Sequence, residues 1–128
     1  MNARTAVSPS VTSMDRHRDE AFCYLTTTGR RTGRPHTIEI WFVAGDGIVH
    51  LMAGGRHSAD WVRNLVADPA VRLRVGGDEF DARARVVEEG TPEDSDARRR
   101  MLAKYATSPD DLASWGRTAL VVAVDLSP

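Results

Sequence analysis

The chain has 128 residues, of which 41% are hydrophobic, so it is the size of one ordinary domain with enough apolar residues for a single core. Its formal net charge of −1 excludes the overall basic surface with which many proteins bind nucleic acid. The only cysteine, Cys23, excludes an internal disulfide and a thiolate metal cluster, which favours a reducing, cytoplasmic location. No apolar run approaches the ~20 residues that a membrane-spanning helix needs, so no transmembrane segment is predicted.

The N-terminal segment, residues 1–18, is rich in Ser, Thr, Pro, Asn and Arg and has no hydrophobic periodicity. This composition predicts a flexible arm, followed by a single domain over residues 19–128. An alternative is that the arm folds over a bound ligand.

The first three strands are predicted from β-branched and aromatic residues. Residues 22–28 (FCYLTTT) form strand one, which ends at a glycine-rich basic turn. Residues 37–44 alternate in polarity and form strand two, and the turn Gly45-Asp46-Gly47 leads into strand three over residues 48–53. Strands two and three are therefore expected to form a hairpin.

A helix and two more strands follow the Gly54-Gly55 pair. Ser58 is the predicted N-cap of helix one, whose apolar residues have helical spacing and which ends before Pro69. Strand four covers residues 71–75, and strand five covers residues 79–87.

The last third of the chain contains two predicted helix starts. Thr91 caps helix two, which runs to about Tyr105. Residues 108–111 (SPDD) open a short helix that reaches Trp115 and is closed by Gly116. Residues 118–124 (TALVVAV) are continuously apolar, which predicts a sixth strand that is covered on both faces.

Together these elements predict a mainly β protein with six strands and with helices after strands three and five. A closed antiparallel sheet removes exposed strand edges from so small a domain, so we expect a small β-barrel with flanking helices.

The segment 26–36 (TTTGRRTGRPH) combines glycines, threonines and arginines at the end of strand one. Glycines leave backbone N–H groups accessible, threonines add hydroxyl donors, and arginines supply forked charge for phosphate or carboxylate. The part from Thr28 to His36 is therefore predicted to bind an anion, and a solvated hairpin turn is the alternative. Nucleic acid is disfavoured as the ligand, because no aromatic residues interleave with the arginines.

A second junction runs from Gly54-Gly55 to the start of helix one. The two glycines would let a flat ring lie close to the main chain, and Trp61 could border that ring or pack on the barrel. The four histidines are scattered and no catalytic sequence motif is present, so no metal site is predicted.

These two segments resemble the deazaflavin-dependent nitroreductase family, a branch of the split β-barrel, FMN-binding-like superfamily. The resemblance lies in residues 24–35 (YLTTTGRRTGRP), in Gly54-Gly55, in residues 58–65 (SADWVRNL) and in Asp68-Pro69. Their order and spacing span most of the chain, and they imply a split β-barrel.

The resemblance implies that the chain binds coenzyme F420 and transfers a hydride from the reduced deazaflavin to a small organic acceptor, such as a quinone, an enone or a nitro compound. No catalytic side chain is required, and Tyr105 and Trp115 are the candidates for the substrate side. The residues expected to hold the phosphate and acidic tail are Thr28, Arg30, Arg31, Thr32, Gly33 and His36. Those expected to flank the ribityl chain or the deazaflavin are Ile38, Glu39, Ala53, Gly54, Trp61 and Asn64.

The sequence departs from the family in several places. Many relatives have arginine at His36 and many nitro-reducing members have proline at Glu39, while tyrosines that precede the last strand in several of them are replaced by Leu112 and Trp115. Reduction of nitroimidazoles is therefore in doubt.

Two other functions remain open, an FMN-dependent oxidoreductase of the same superfamily and a non-catalytic barrel that binds a cofactor or lipid. A small-molecule substrate is the expected partner, and a homodimer is left open.

Overall fold

The computed structural model of the protein describes residues 11–106 and 112–127. Its centre is one antiparallel sheet of seven strands, curled into a half-barrel, in the order β2-β1-β5-β6-β7-β4-β3. The strands are β1 (Cys23–Thr28), β2 (Pro35–Ile40), β3 (Val43–Gly45), β4 (Ile48–Ala53), β5 (Ala70–Val75), β6 (Asp78–Val86) and β7 (Leu120–Leu126). The helices are α1 (Asp60–Ala67), α2 (Pro92–Lys104) and α3 (Leu112–Thr118).

Side-chain alternation divides the core between the two faces of the sheet. Strand β1 buries Cys23, Leu25 and Thr27 and turns its intervening residues outwards. Strand β7 is buried at six of its seven residues. One face packs against the inner core, the cluster that includes Leu25, Phe42, Leu51 and Val62, and the other face packs under α2 and α3. This confirms the prediction of a last strand that is covered on both sides.

The predicted second strand is interrupted, which is why the structure has seven strands and not six. The break falls at Phe42, whose side chain is fully buried. Its N–H donates to the Tyr105 hydroxyl at 3.0 Å, and its carbonyl accepts from Lys104 Nζ at 2.8 Å. Because groups at the end of α2 bind the backbone of Phe42, the chain leaves the ladder there and continues as β3.

The sheet curls into a half-barrel, which agrees with the predicted mainly β, split-barrel class, and its strand order has two ends. Strand β2 pairs with β1, β3 pairs with β4, and β2 and β3 are the two ends of the strand order. The predicted hairpin therefore forms between β3 and β4, while β2 remains an edge strand.

The helix boundaries agree with the predictions only in part. Thr91 caps α2 by accepting the Asp94 N–H at 3.2 Å, as predicted. Ser58 does not cap α1, because it belongs to a 3-10 turn at Arg56–Ser58, and the helix follows Ala59. Gly116 does not end α3, which continues to Thr118. The predicted start of that helix, residues 108–111, lies outside the described residues.

Part of the segment predicted as an N-terminal arm is packed on the domain. Val11–His17 forms a 3-10 helix, and Met14 is buried in the inner core. His17 Nε2 also lies 2.7 Å from Asp78 Oδ2 at the start of β6. Within residues 11–106 and 112–127, no helix is long and apolar enough to cross a membrane.

Candidate functional site

The turn between β1 and β2 is closed by its own backbone. Gly29 donates its N–H to the Arg34 carbonyl at 2.7 Å, and Gly33 donates to the Gly29 carbonyl at 2.8 Å. Gly33 has a φ of +74°, a backbone conformation that residues other than glycine adopt only at a cost in free energy. A Cβ on Gly29 would lie 2.6 Å from His36 Nε2, so glycine at this position lets the histidine ring lie against the turn.

Arg30 fixes this turn to helix α1. Its backbone N–H and its Nη1 both donate to Asn64 Oδ1, at 3.2 Å and 2.8 Å, and its Nη2 donates to Asp60 Oδ1 at 3.2 Å. Asn64 is 4% exposed and donates from Nδ2 to Thr27 Oγ1 at 3.2 Å. The turn, β1 and α1 are therefore held in one arrangement by charge-assisted and buried hydrogen bonds.

A cleft of about 560 Å³ lies between this turn and α1. Its lining residues are Gly29, Arg30, Arg31, Thr32, His36, Thr37, Ile38, Asp60, Arg63 and Asn64. Three arginines against one aspartate give the lining an excess of positive charge. Together with the hydroxyl of Thr32, this set of donors suits an anionic ligand with several oxygen acceptors.

The positive charge of the cleft is not evenly compensated. Arg30 is paired with Asp60 and is hydrogen-bonded to Asn64. Arg31 and Arg63 are exposed, and neither makes a hydrogen bond or an ion pair with any residue that the structure describes. The two uncompensated charges of the cleft therefore lie on different elements, one on the turn and one on the helix.

The structure brings together half of the residues that the sequence analysis assigned to the cofactor. Those that line the cleft are Arg30, Arg31, Thr32, His36, Ile38 and Asn64. Gly29, within the predicted anion-binding turn, also lines the cleft, whereas the sequence did not indicate Thr37, Asp60 and Arg63 in the lining or Thr27 behind Asn64. The i, i+4 spacing of Asp60 and Asn64 was the available signal, because it places both on the helix side that meets Arg30.

Thr28 and Glu39 lie on the other face of the sheet. Glu39 is paired in register with Tyr24 and accepts its hydroxyl at 2.6 Å, whereas Ile38 is paired with Leu25 on the core side. Thr28 follows the same alternation as Tyr24. Ile38 lines the cleft, whereas Glu39 is not among its lining residues. Gly33 is at the open tip of the turn, with no atom within 4 Å of a Cβ built on it.

The residues expected near the ring are divided between the core and its surface. Ala53 is 2% exposed and belongs to the inner core, against which the partly buried Trp61 packs. Gly54 is exposed, and a Cβ built on it would lie 3.6 Å from Trp115 Nε1. The Gly54-Gly55 loop thus adjoins α3.

Tyr105 makes the contacts of a core residue. Its ring stacks on Trp41 with centroids 4.3 Å apart, and Trp115 meets Trp41 edge-on at 5.7 Å. The Tyr105 hydroxyl donates to the Ala21 carbonyl at 2.8 Å, and burial raises the pKa of Tyr105 to about 12. The substrate-side role of Tyr105 and Trp115 stays a prediction.

Arg56 connects the Gly54-Gly55 loop to more distant segments, a role that the sequence did not indicate. It has a φ of +54°, and its Nη2 binds both carboxylate oxygens of Glu89 at 2.6 and 2.9 Å. Its Nη1 donates to the carbonyl of Thr118. The loop is therefore fixed to the junction of α3 and β7.

Solved structures with the same architecture include an F420-H2 dependent reductase, with a TM-score of 0.67 and 22% identity, over 82% of this chain and 94% of that one. The heme storage protein HutZ from Vibrio cholerae has a TM-score of 0.70 and 17% identity, over 91% of this chain and 89% of that one. At such identities the likeness shows the fold, and it confirms the predicted split-barrel class.

The sequence also has relatives of known type. Over 73 residues it is 35% identical to an F420H(2)-dependent quinone reductase of Mycobacterium tuberculosis, a match that covers 54% of this chain and 48% of that protein. The chain thus spans about half the length of the curated relatives it matches. A model of the F420H(2)-dependent quinone reductase family matches residues 4–127, which confirms the resemblance to deazaflavin-dependent reductases. With nearly its whole length matched, the chain belongs to the F420H(2)-dependent quinone reductase family.

Proposed function

We propose that this protein is an oxidoreductase that binds coenzyme F420 and reduces a small organic acceptor, with quinones as the first class to test. The observation that carries the proposal is the cleft between the β1–β2 turn and α1, in which Arg31 and Arg63 have no counter-charge among residues 11–106 and 112–127. A long anionic cofactor accounts for such an arrangement, because unpaired cations in a confined cleft are stabilised by an anionic ligand.

The family and its named members support the choice of cofactor and acceptor. The family is described as using reduced F420 to reduce quinones, and the matched Mycobacterium tuberculosis protein carries the same description. The residues of this chain fit the phosphate and the acidic tail of F420, because the cleft supplies guanidinium, hydroxyl and backbone donors.

When bound, the reduced deazaflavin would supply the hydride. The residues of this chain would bind the cofactor and orient it. Arg31, Thr32 and Arg63 would hold the anionic part in the cleft, and Ile38 would present an apolar wall beside it. Gly54, with no Cβ, would leave room for close approach to the main chain, and Trp61 would limit access of water from the α1 side.

Cofactor retention tests the proposal directly. The purified protein would be incubated with F420 or with FMN, freed of excess cofactor, and examined by absorbance and fluorescence. We expect retention of F420, followed by loss of the reduced-cofactor signal when a soluble naphthoquinone is added. Retention of FMN without F420 would overturn the proposal in favour of the flavin alternative. Retention of F420 with no oxidation by quinone, enone or nitro acceptors would favour the non-catalytic binding barrel.

A further inference from the structure

We propose that Arg63 of α1 is a ligand-binding residue that closes, from the helix side, an anion grip whose other half is Arg31 of the turn. The proposal rests on the proposed function, since the anion is taken to be the charged part of F420. It departs from the sequence analysis, which assigned the grip to the turn alone.

The first argument is charge compensation. Arg30, the first arginine of the turn, already binds Asn64 and Asp60 through both of its terminal nitrogens. Using it for a ligand would require breaking contacts that hold the turn to the helix. Arg31 and Arg63 are exposed and have no partner among the described residues, so they can bind an anion without giving up an existing contact.

The second argument is preorganisation. The Arg30–Asn64–Thr27 hydrogen bonds fix α1 relative to the turn. The neighbours of Arg63 on the helix, Val62 and Leu65, are each 1% exposed and anchor α1 to the inner core. The backbones that carry Arg31 and Arg63 are therefore held on opposite walls of one cleft before any ligand arrives. Such a site loses little conformational entropy on binding, apart from the two side chains themselves.

The third argument concerns ligand chemistry. The phosphate and the carboxylates of the glutamyl tail are both anionic groups that accept forked hydrogen bonds from guanidinium. One such contact contributes roughly 10- to 100-fold in affinity, by the usual strength of a hydrogen bond to a charged group. Either group would satisfy the grip, so the test must separate them.

The experiment measures cofactor affinity by fluorescence titration for the wild type, Arg63→Ala and Arg63→Lys. The control is Arg83→Ala, because Arg83 is also exposed, has no partner among the described residues and lies outside this cleft. Three probes are used: F420, a deazaflavin with the phosphate but no glutamyl tail, and a deazaflavin riboside with neither. Thermal melts of all four proteins report whether the fold is retained.

We expect Arg63→Ala to weaken F420 binding at least about tenfold, with partial recovery in Arg63→Lys, no change in Arg83→Ala and no change for the uncharged riboside. Weakening that persists with the tail-less probe identifies the phosphate as the bound group, and weakening only with F420 identifies the tail. Equal affinities of wild type and Arg63→Ala for F420 would overturn the grip while leaving the proposed function intact. Failure of the wild type to bind F420 at all would overturn both. An equal loss of riboside binding in Arg63→Ala would mean that Arg63 maintains the structure of the site and does not bind the anion, which also contradicts the grip.

Discussion

Replacement of Asn64 by alanine should lower the free energy of unfolding, because the Asn64 side chain makes three hydrogen bonds that join the turn, β1 and α1. Asn64 is 4% exposed, accepts from the backbone and side chain of Arg30, and donates to Thr27. Alanine removes one charge-assisted and two neutral hydrogen bonds and leaves polar groups without partners, a loss of roughly 2 to 4 kcal/mol in the free energy of unfolding. For a domain of this size that corresponds to a decrease in Tm of roughly 8 to 16 °C.

The assay is urea unfolding followed by tryptophan fluorescence, with a thermal melt as a second probe. Asn64→Asp is the matched control, because its carboxylate still accepts from Arg30 and the Thr27 hydroxyl can rotate to donate. We expect the aspartate variant to keep most of the stability that alanine loses. A double-mutant cycle with Arg30→Ala should show coupling between the two positions. A decrease of less than about 0.5 kcal/mol in Asn64→Ala would refute the view that these hydrogen bonds hold the turn to the helix.

Three further predictions concern other parts of the molecule. Gly33→Ala should destabilise the fold by about 1 kcal/mol in urea melts, and Gly33→Asn by less, because φ is +74° and the surroundings are open; equal stability of all three would contradict the strain. Arg85, with His50, lowers the pKa of Glu93 to about 2. The ionised Glu93 carboxylate therefore contributes fully to the free energy of unfolding above pH 4.5, and this contribution is lost as the pH falls towards 2. Glu93→Gln should therefore show a smaller fall in urea midpoint over that window, and parallel curves would rule the contribution out. Lys104 is the only lysine, and burial lowers its pKa to about 8. The rate of its acetylation, followed by mass spectrometry, should therefore rise with pH around a midpoint near 8, and a midpoint near 10.5 would contradict this.

Much of the strand pattern could be predicted from the sequence, because alternation of polarity is a local property. Strands β1, β4, β5, β6 and β7 lie within one or two residues of their predicted limits. The break at Phe42 could not be predicted, since it depends on Lys104 and Tyr105, which lie more than 60 positions away in the chain. Which strands form the edges follows from pairing across the whole sheet, and local patterns carry no information on it.

The candidate site was predictable where its chemistry is concentrated in one segment. The turn was recognised because glycine, threonine and arginine occur together in it. The contribution of Asp60 and Arg63 was missed because it arises only when α1 docks against the turn. The internal use of Arg30 was missed for the same reason, since its carboxylate and amide partners come from a segment about 30 residues further along the chain.

The alternation of Ile38 and Glu39 along β2 makes the sheet a partition between two environments. Position 38 faces the cleft and is constrained by what the cleft holds, whereas position 39 faces Tyr24 and is constrained by the packing of the outer surface. The Glu39 carboxylate accepts the Tyr24 hydroxyl and is not among the groups that line the cleft. The Tyr24–Glu39 pair thus ties the least family-like residue of the segment to the cross-strand contact between β1 and β2.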